Sequence, residues 1–123
     1  MPTGAAIDQE NLPQLQITIE AAEDLPSLPA AIEVAAYRIV QEALTNVVRH
    51  AHATICLVRL SIVEGSLCVE VTDDGVGIAV GQQAGIGLLS MRERAAEVGG
   101  RCSIQPGSTG GTKVCGSFPF PTD

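Results

Sequence analysis

Along the chain, the spacing of hydrophobic residues switches between the two-residue period of a strand and the longer period of a helix. Proline and glycine clusters mark the places where one period gives way to the next. The pattern therefore predicts a short strand, a long helix, a hairpin, a second helix and two final strands. The predicted strands cover residues 15–20, 54–63, 67–73, 101–105 and 112–118, and the predicted helices cover residues 30–50 and 88–98.

The long helix carries a polar pair within an otherwise apolar pattern. Glu42 and Asn46 are four residues apart, so both point to nearly the same side. An Asn amide oxygen is a suitable ligand for Mg2+, and a carboxylate can order or deprotonate an attacking group. Arg49 can contact phosphate oxygens, and His50 is interpreted as a phosphate contact or a helix-end cation. A structural alternative pairs Glu42 with Arg38 and leaves Asn46 in solvent. The apolar residues that we expect this helix to bury are Ile39, Val40, Ala43, Leu44, Val47 and Val48.

The hairpin has a register that follows from its turn. With residues 64–65 at the turn, three apolar pairs share one face, and Arg59 lies opposite Glu70 on the other. The same ladder sets Cys56 opposite Asp73, so Asp73 ends on the buried face. A buried carboxylate is costly unless hydrogen bonds are donated to it. Two interpretations remain open, a ligand contact or a cap on the loop that follows.

Three glycine clusters follow these acidic and amide residues in the sequence. Glycine lets a ligand approach the main chain closely, and a helix start offers free N–H groups to phosphate oxygens. Taken singly, each cluster is equally compatible with a tight turn, a flexible loop or a hairpin connection. The spacing fits neither a dinucleotide fingerprint nor a Walker A loop. The clusters are Gly75 and Gly77 after Asp73, Gly85 and Gly87 before Leu88, and Gly110 and Gly111 before Thr112.

Composition narrows the class of protein. The 123 residues fit one domain, and 46% hydrophobic with 17% charged residues indicate a globular chain. The formal charge of -7 argues against nucleic-acid binding, which depends on Lys and Arg. A phosphate ligand would therefore need a metal ion, backbone N–H groups or a few local cations.

The cysteines and the lengths of the hydrophobic runs indicate the cellular compartment in which the domain is expected. No apolar run approaches the roughly 20 residues that span a bilayer, and we expect a cytoplasmic domain, within a parent protein that is either free or membrane-anchored. No C-x-x-C pair occurs. We interpret the cysteines as small buried hydrophobes in a reducing compartment, with disulfides as the minor alternative. They are Cys56, Cys68, Cys102 and Cys115.

Taken together, the motifs resemble those of the GHKL ATPases. The N box is matched by Glu42-x-x-x-Asn46-x-x-Arg49-His50, the G1 box by Asp73-x-Gly75-x-Gly77, and the G2 box by Gly85-x-Gly87-Leu88. Gly110-Gly111-Thr112 matches the last glycine box. The longer phrases at residues 37–46 and 87–95 are similar to the catalytic ATP-binding domain of two-component sensor histidine kinases, in the subgroup that partners NarL-type response regulators.

The resemblance implies a fold, two cofactors and a role for each box. The implied fold is a Bergerat-type two-layer α/β sandwich, with helices packed on one face of a mixed β-sheet, and the implied cofactors are ATP and Mg2+. By analogy Asp73 accepts the adenine amino group, Asn46 holds Mg2+, and Glu42 is the general base or orients it. The implied ATP-binding residues are Asn46, Arg49, His50, Asp73, Gly75, Gly77, Ile78, Gly85, Ile86, Gly87, Leu88 and Thr112.

The resemblance also implies partners. In the family the phosphoacceptor His lies on a preceding dimerisation domain, which we expect to be a partner together with a NarL-type response regulator. We expect residues 1–11 to be a linker, residues 12–123 to be the ATP-binding domain, and the isolated domain to be a monomer that is incomplete for turnover. We expect neither nucleic-acid binding nor direct membrane contact. The alternatives are an anti-sigma-type serine kinase, a non-catalytic nucleotide-sensing domain and a scaffold without ligand.

Overall fold

A five-stranded mixed sheet carries two helices on one face, in a computed structural model that describes residues 15–76, 87–108 and 110–121, apart from the side chains at positions 50 and 51. The strand order is β1-β2-β3-β5-β4, with β1 parallel to β2 and the other neighbours antiparallel. The predicted two-layer α/β fold is therefore confirmed. The elements are β1 (Gln16–Ala21), α1 (Ala30–Asn46), β2 (Ile55–Val63), β3 (Ser66–Asp73), α2 (Leu88–Glu97), β4 (Arg101–Pro106) and β5 (Thr112–Pro119).

The helix α1 does not stop at Asn46 but continues as one turn of π-helix over Val47–Ala51. His52, with a positive φ of 52°, then ends the helical segment. A π-turn widens the helix by one residue and is often found beside functional sites. The helical segment therefore matches the predicted range almost to the residue, while its last turn has a geometry that hydrophobic spacing does not reveal.

The hairpin of β2 and β3 has the predicted register. Cys56 pairs with Asp73 and Arg59 pairs with Glu70. The two turn residues, 64 and 65, both have positive φ, as a tight hairpin turn requires. On the face away from the helices, Glu70 also contacts Lys113 of β5 at 3.3 Å. This open face of the sheet is thus polar, and the helix-covered face holds the core.

The core lies between the two helices and the strands β2, β3 and β5. Ile39 of α1, Met91 of α2 and Phe118 of β5 are each at most 1% exposed. Along β3, every second residue is buried. The buried side of α1 is formed by Ile32, Ala35, Ala36, Ile39 and Ala43, and Val47 continues it.

The expectation that Val48 belongs to the core is wrong. Val48 is 68% exposed, whereas Val47 is buried and Val40 and Leu44 are partly buried against the core. Successive helical residues differ by about 100° in direction, so Val47 and Val48 cannot both face the sheet. Val48 therefore lies on the outer, solvent-exposed side of the helix.

The four cysteines are free thiols, but only two are buried. Cys56 and Cys102 are in the core, and burial together with the nearby Asp73 raises the pKa of Cys56 to about 11. Cys68 and Cys115 are half-buried on the open face, so the expectation that all four are buried is wrong for these two. Within the described ranges, no helix combines the length and the apolar character needed to cross a bilayer.

We predict that Ile39→Ala lowers the free energy of unfolding by about 2 to 5 kcal/mol, because it leaves a cavity under α1. Val48→Ala, on the same helix, should change it by less than about 0.5 kcal/mol, because Val48 is exposed. Urea unfolding followed by circular dichroism measures both. Equal losses in the two variants would contradict the assignment of Val48 to the outer surface.

Candidate functional site

The central residue of the candidate site is Asp73, the last residue of β3. Because side chains alternate along a strand, Asp73 shares the helix-covered face with the buried Val71 and is only 4% exposed. Its Oδ1 accepts a hydrogen bond from the N–H of Gly75 at 2.8 Å, and the N–H of Thr112 also donates to this carboxylate. Burial raises the pKa of Asp73 above its ordinary value, and the two N–H donors oppose that shift.

The neighbouring Asp74 has a different environment, on the exposed side of the same turn. Its carboxylate accepts hydrogen bonds from the backbone N–H of Thr54 at 2.8 Å, the hydroxyl of Thr54 at 2.7 Å and the N–H of Ile55 at 3.0 Å. These bonds lower the pKa of Asp74. They tie the end of β3 to the start of β2, which begins four residues after the helical segment ends at Ala51. The end of that segment and the Asp73 turn therefore lie at the same edge of the sheet.

The turn before β5 packs directly on Asp73. Gly110 and Gly111 have positive φ values of 93° and 74°. A Cβ atom at Gly111 would overlap the backbone oxygen of Asp73 and lie 2.9 Å from its Oδ1, whereas a Cβ at Gly110 would be 4.0 Å from the nearest atom, the Gly75 oxygen. The close contact with Asp73 leaves no room for a side chain at Gly111. The same contact places the last glycine box next to the G1 box.

A second close contact joins the two helices. A Cβ atom at Gly87 would lie 2.5 Å from Oε2 of Glu42, so the carboxylate of α1 rests against the residue that caps α2. Gly87 has a φ of 82°, and its carbonyl oxygen accepts the N–H of Met91 at 2.9 Å, the first turn of α2. Asn46, one turn after Glu42, is half-buried and faces the same side. The polar side of α1 and the start of α2 thus meet at Glu42.

The remaining predicted residues have varied surroundings. Leu88 is buried at 6% exposure and Thr112 at 7%, while Arg49 is exposed in the π-turn. The alternative pairing of Glu42 with Arg38 is not found among the described residues, whose ion pairs lie on the open face of the sheet. The predicted site residues that lie outside the described part of the chain are Gly77, Ile78, Gly85 and Ile86, and of His50 only the backbone is described.

Sequence reasoning missed two features of the site. Asp73 also caps its own loop through Gly75, so the two interpretations left open for this residue are not exclusive. Thr54, which binds Asp74 through both its backbone and its hydroxyl, was not singled out. The available signal was two consecutive acidic residues at a strand end, one for each side of the sheet.

Comparison with known proteins agrees with the resemblance carried by the four boxes. Residues 31–122 match the family described as histidine kinase-, DNA gyrase B-, and HSP90-like ATPase. The oxygen sensor histidine kinase NreB of Staphylococcus carnosus is 40% identical over 92 residues, which cover 72% of this chain and 26% of that protein. The chain thus spans about a quarter of the length of this curated relative.

Solved structures share the fold. The blue-light activated histidine kinase EL346 of Erythrobacter litoralis superimposes with a TM-score of 0.74 at 26% identity, over 94% of this chain and 38% of that one. The ATP binding domain of PrrB from Mycobacterium tuberculosis gives a TM-score of 0.65 at 22% identity, over 96% of this chain and 89% of that one. The second likeness shows the fold alone.

We predict that Asp73→Asn is at least as stable as the wild-type chain at neutral pH, because burial disfavours the ionised carboxylate. With the folded-state pKa above the unfolded one, the cost of ionisation is absent below the ordinary Asp pKa. It grows as the pH rises through the raised folded value. Urea unfolding at a series of pH values measures this dependence.

Asp74→Asn is the matched control with the opposite sign. Hydrogen bonds lower the pKa of Asp74, so its contribution to stability is present above the ordinary Asp pKa and is lost as the pH falls through the folded value. This variant should be less stable than wild type at neutral pH. A loss of the same size in Asp73→Asn would show that burial is not the dominant influence on Asp73.

We predict that Gly111→Ala destabilises the domain more than Gly110→Ala. Both residues have positive φ, which costs an alanine about 1 to 2 kcal/mol, but only Gly111 also contacts a backbone atom that cannot rotate away. That overlap adds about 1 to 3 kcal/mol. The comparison uses thermal or urea unfolding, and equal losses would contradict the contact with Asp73.

Proposed function

Because the chain belongs to the family of histidine kinase-, DNA gyrase B-, and HSP90-like ATPases, we propose that residues 12–123 form the catalytic ATP-binding domain of a sensor histidine kinase. The observation that carries the proposal is the carboxylate of Asp73, buried at the sheet edge beneath Gly111 and one face away from the exposed Asp74. The matching relative is named as an oxygen sensor histidine kinase.

Asp73 is proposed to select adenine. An ionised carboxylate accepts hydrogen bonds only, and adenine offers an exocyclic amino donor where guanine has a carbonyl oxygen. The close approach of Gly111 and the donors at Gly75 and Thr112 hold this carboxylate in one orientation. Such a fixed acceptor can distinguish the two purines without any movement of the protein.

The polar side of α1 and the start of α2 are proposed to hold the triphosphate and Mg2+. The described residues contain no cluster of three or more His, Cys, Asp or Glu side chains suited to a metal ion. This suits a magnesium ion that is bound mainly by phosphate oxygens and water, with few protein ligands. Asn46 supplies a neutral oxygen of the right kind, and the ion would neutralise phosphate charge. Arg49 and the start of α2 are proposed to contact the phosphates.

Glu42 is proposed to act as the general base, or to orient the acceptor, in γ-phosphoryl transfer to a histidine. Its carboxylate rests against Gly87, so the G2 glycine and the N-box acid are in contact. A full set of acid and amide is expected of a catalytic domain and is not needed by a domain that only senses nucleotide. For this reason we favour the kinase over a non-catalytic sensing domain.

The acceptor histidine is proposed to lie on the dimerisation domain of the same kinase, from which the phosphoryl group passes to a response regulator of the NarL type. The isolated chain is then a monomer that binds Mg-ATP but does not complete the kinase reaction. Its place is proposed to be the cytoplasm, in a parent protein that is either free or membrane-anchored, with residues 1–11 as a linker.

We predict that the chain binds Mg-ATP at least about 10-fold more tightly than Mg-GTP, a difference of about 1.4 kcal/mol. Asp73→Asn should lower the affinity for ATP by at least about 10-fold and reduce the preference over GTP, because its amide can also donate to guanine. Isothermal titration calorimetry measures both affinities. Glu70→Gln, on the open face of the sheet, is the control and should bind as wild type does.

A chain that is folded yet binds neither nucleotide would refute the proposed function. Unchanged ATP affinity in Asp73→Asn, with the domain still folded, would refute the adenine assignment alone.

A further inference from the structure

Thr54, directly before β2, is held by hydrogen bonds to two other strands. Its N–H and its hydroxyl donate to the carboxylate of Asp74, which follows β3, at 2.8 and 2.7 Å. Its carbonyl oxygen accepts the N–H of Gln16 in β1 at 2.9 Å. The residue also lies only three positions after Ala51, where the helical segment ends. Thr54 therefore joins β1, the end of β3 and the C-terminal end of the helical segment, although it is exposed.

The carboxylate of Asp74 fastens the end of β3 beyond the regular pairing of the strands. That pairing of β2 with β3 ends at Cys56 and Asp73. One residue further, the backbone N–H of Asp74 donates to the oxygen of Ile55 over 3.3 Å, which is longer than the typical value of about 2.9 Å. The carboxylate accepts three shorter bonds, and bonds to an ionised acceptor are the stronger kind. The position of Asp73 therefore depends on Asp74 and its donors.

The hydrogen bonds described for the Asp73 carboxylate come from residues beside turns. Its donors are the N–H of Gly75, at 2.8 Å, and the N–H of Thr112. The bonds between Thr54 and Asp74 instead connect the Asp73 turn to β2, a strand whose Cys56 is fully buried in the core. An acceptor that must meet its ligand in one geometry needs support from such a rigid element.

We propose that Thr54 is a positioning residue for adenine recognition, which acts through Asp74 to fix the carboxylate of Asp73 relative to the end of α1. This inference rests on the proposed function. Thr54 follows Asn46 by eight positions, so the same residue also sets the distance between the proposed metal ligand and the proposed adenine acceptor. Small displacements of a binding group lower affinity strongly, even when the substituted residue does not touch the ligand.

The first test compares Thr54→Val with Thr54→Ser by isothermal titration calorimetry. Valine keeps the shape of the side chain and the backbone N–H but removes the hydroxyl, and serine retains the hydroxyl. Thr54→Val should lower the affinity for Mg-ATP at least about 5-fold, because Asp73 is displaced. Its affinity for Mg-GTP should stay within about two-fold of wild type, so the preference for ATP falls. Thr54→Ser should bind both nucleotides as wild type does.

Thr18→Val is the matched control, because Thr18 is an exposed threonine of β1. It should leave both affinities unchanged. A double variant tests the route through Asp74. If Thr54 acts through this carboxylate, Thr54→Val combined with Asp74→Ala should lose no more ATP affinity than Asp74→Ala alone. Additive losses would overturn the proposed route.

The second test needs no nucleotide and reads the folded state directly. The titration of the Asp73 carboxyl carbon is followed by NMR in the free chain. Burial raises the pKa of Asp73, and a carboxylate that is less firmly held is better hydrated. The pKa of Asp73 should therefore fall towards its ordinary value in Thr54→Val and stay as in wild type in Thr54→Ser. A role of Thr54 in overall stability alone would not change this pKa.

The outcomes separate the two proposals. If wild type prefers ATP and Thr54→Val keeps that preference, or loses affinity for both nucleotides equally, the positioning role is overturned and the proposed function stands. If wild type binds neither nucleotide, the proposed function is overturned together with the role in adenine recognition. A changed titration of Asp73 in Thr54→Val would then still show that Thr54 sets the position of this carboxylate.

Discussion

The arrangement of the site depends on one constraint, the close packing of Gly111 on the end of β3. Because no Cβ intervenes, the backbone of the turn before β5 reaches the backbone of Asp73, and the N–H of Thr112 can donate to its carboxylate. The same close packing shields Asp73 from solvent, and this burial raises the pKa of its carboxyl group. The contact therefore fixes both the position of the carboxylate and the energy needed to keep it charged.

The two consecutive acids have different surroundings on the two faces of the sheet. Asp74 contributes to the fold, since it holds Thr54 and the start of β2 through three hydrogen bonds. Asp73 is held by fewer donors in a drier place, so its charge is less favoured. A carboxylate with unfavourable burial gains most from a ligand that donates a hydrogen bond to it. This difference supports the proposal that Asp73, and not Asp74, contacts adenine.

Much of this could be read from the sequence because it depends on local geometry. The turn at residues 64–65 sets the hairpin register, and the register puts Asp73 on the covered face. The contact between Glu42 and Gly87 could not be derived, because it joins residues 45 positions apart through the packing of two helices. Val48 was misassigned because its apolar character was read without its direction around the helix.

The helix α1 has three sides with different tasks, which explains its unusual composition. Ile39 and its neighbours face the sheet, Glu42 contacts the start of α2, and Tyr37 faces outward. A helix that only supported a core would need one apolar stripe, with polar residues elsewhere. An apolar outer side adds nothing to the stability of the isolated domain, since those side chains remain largely in water. Such residues stabilise only a state in which another surface covers them.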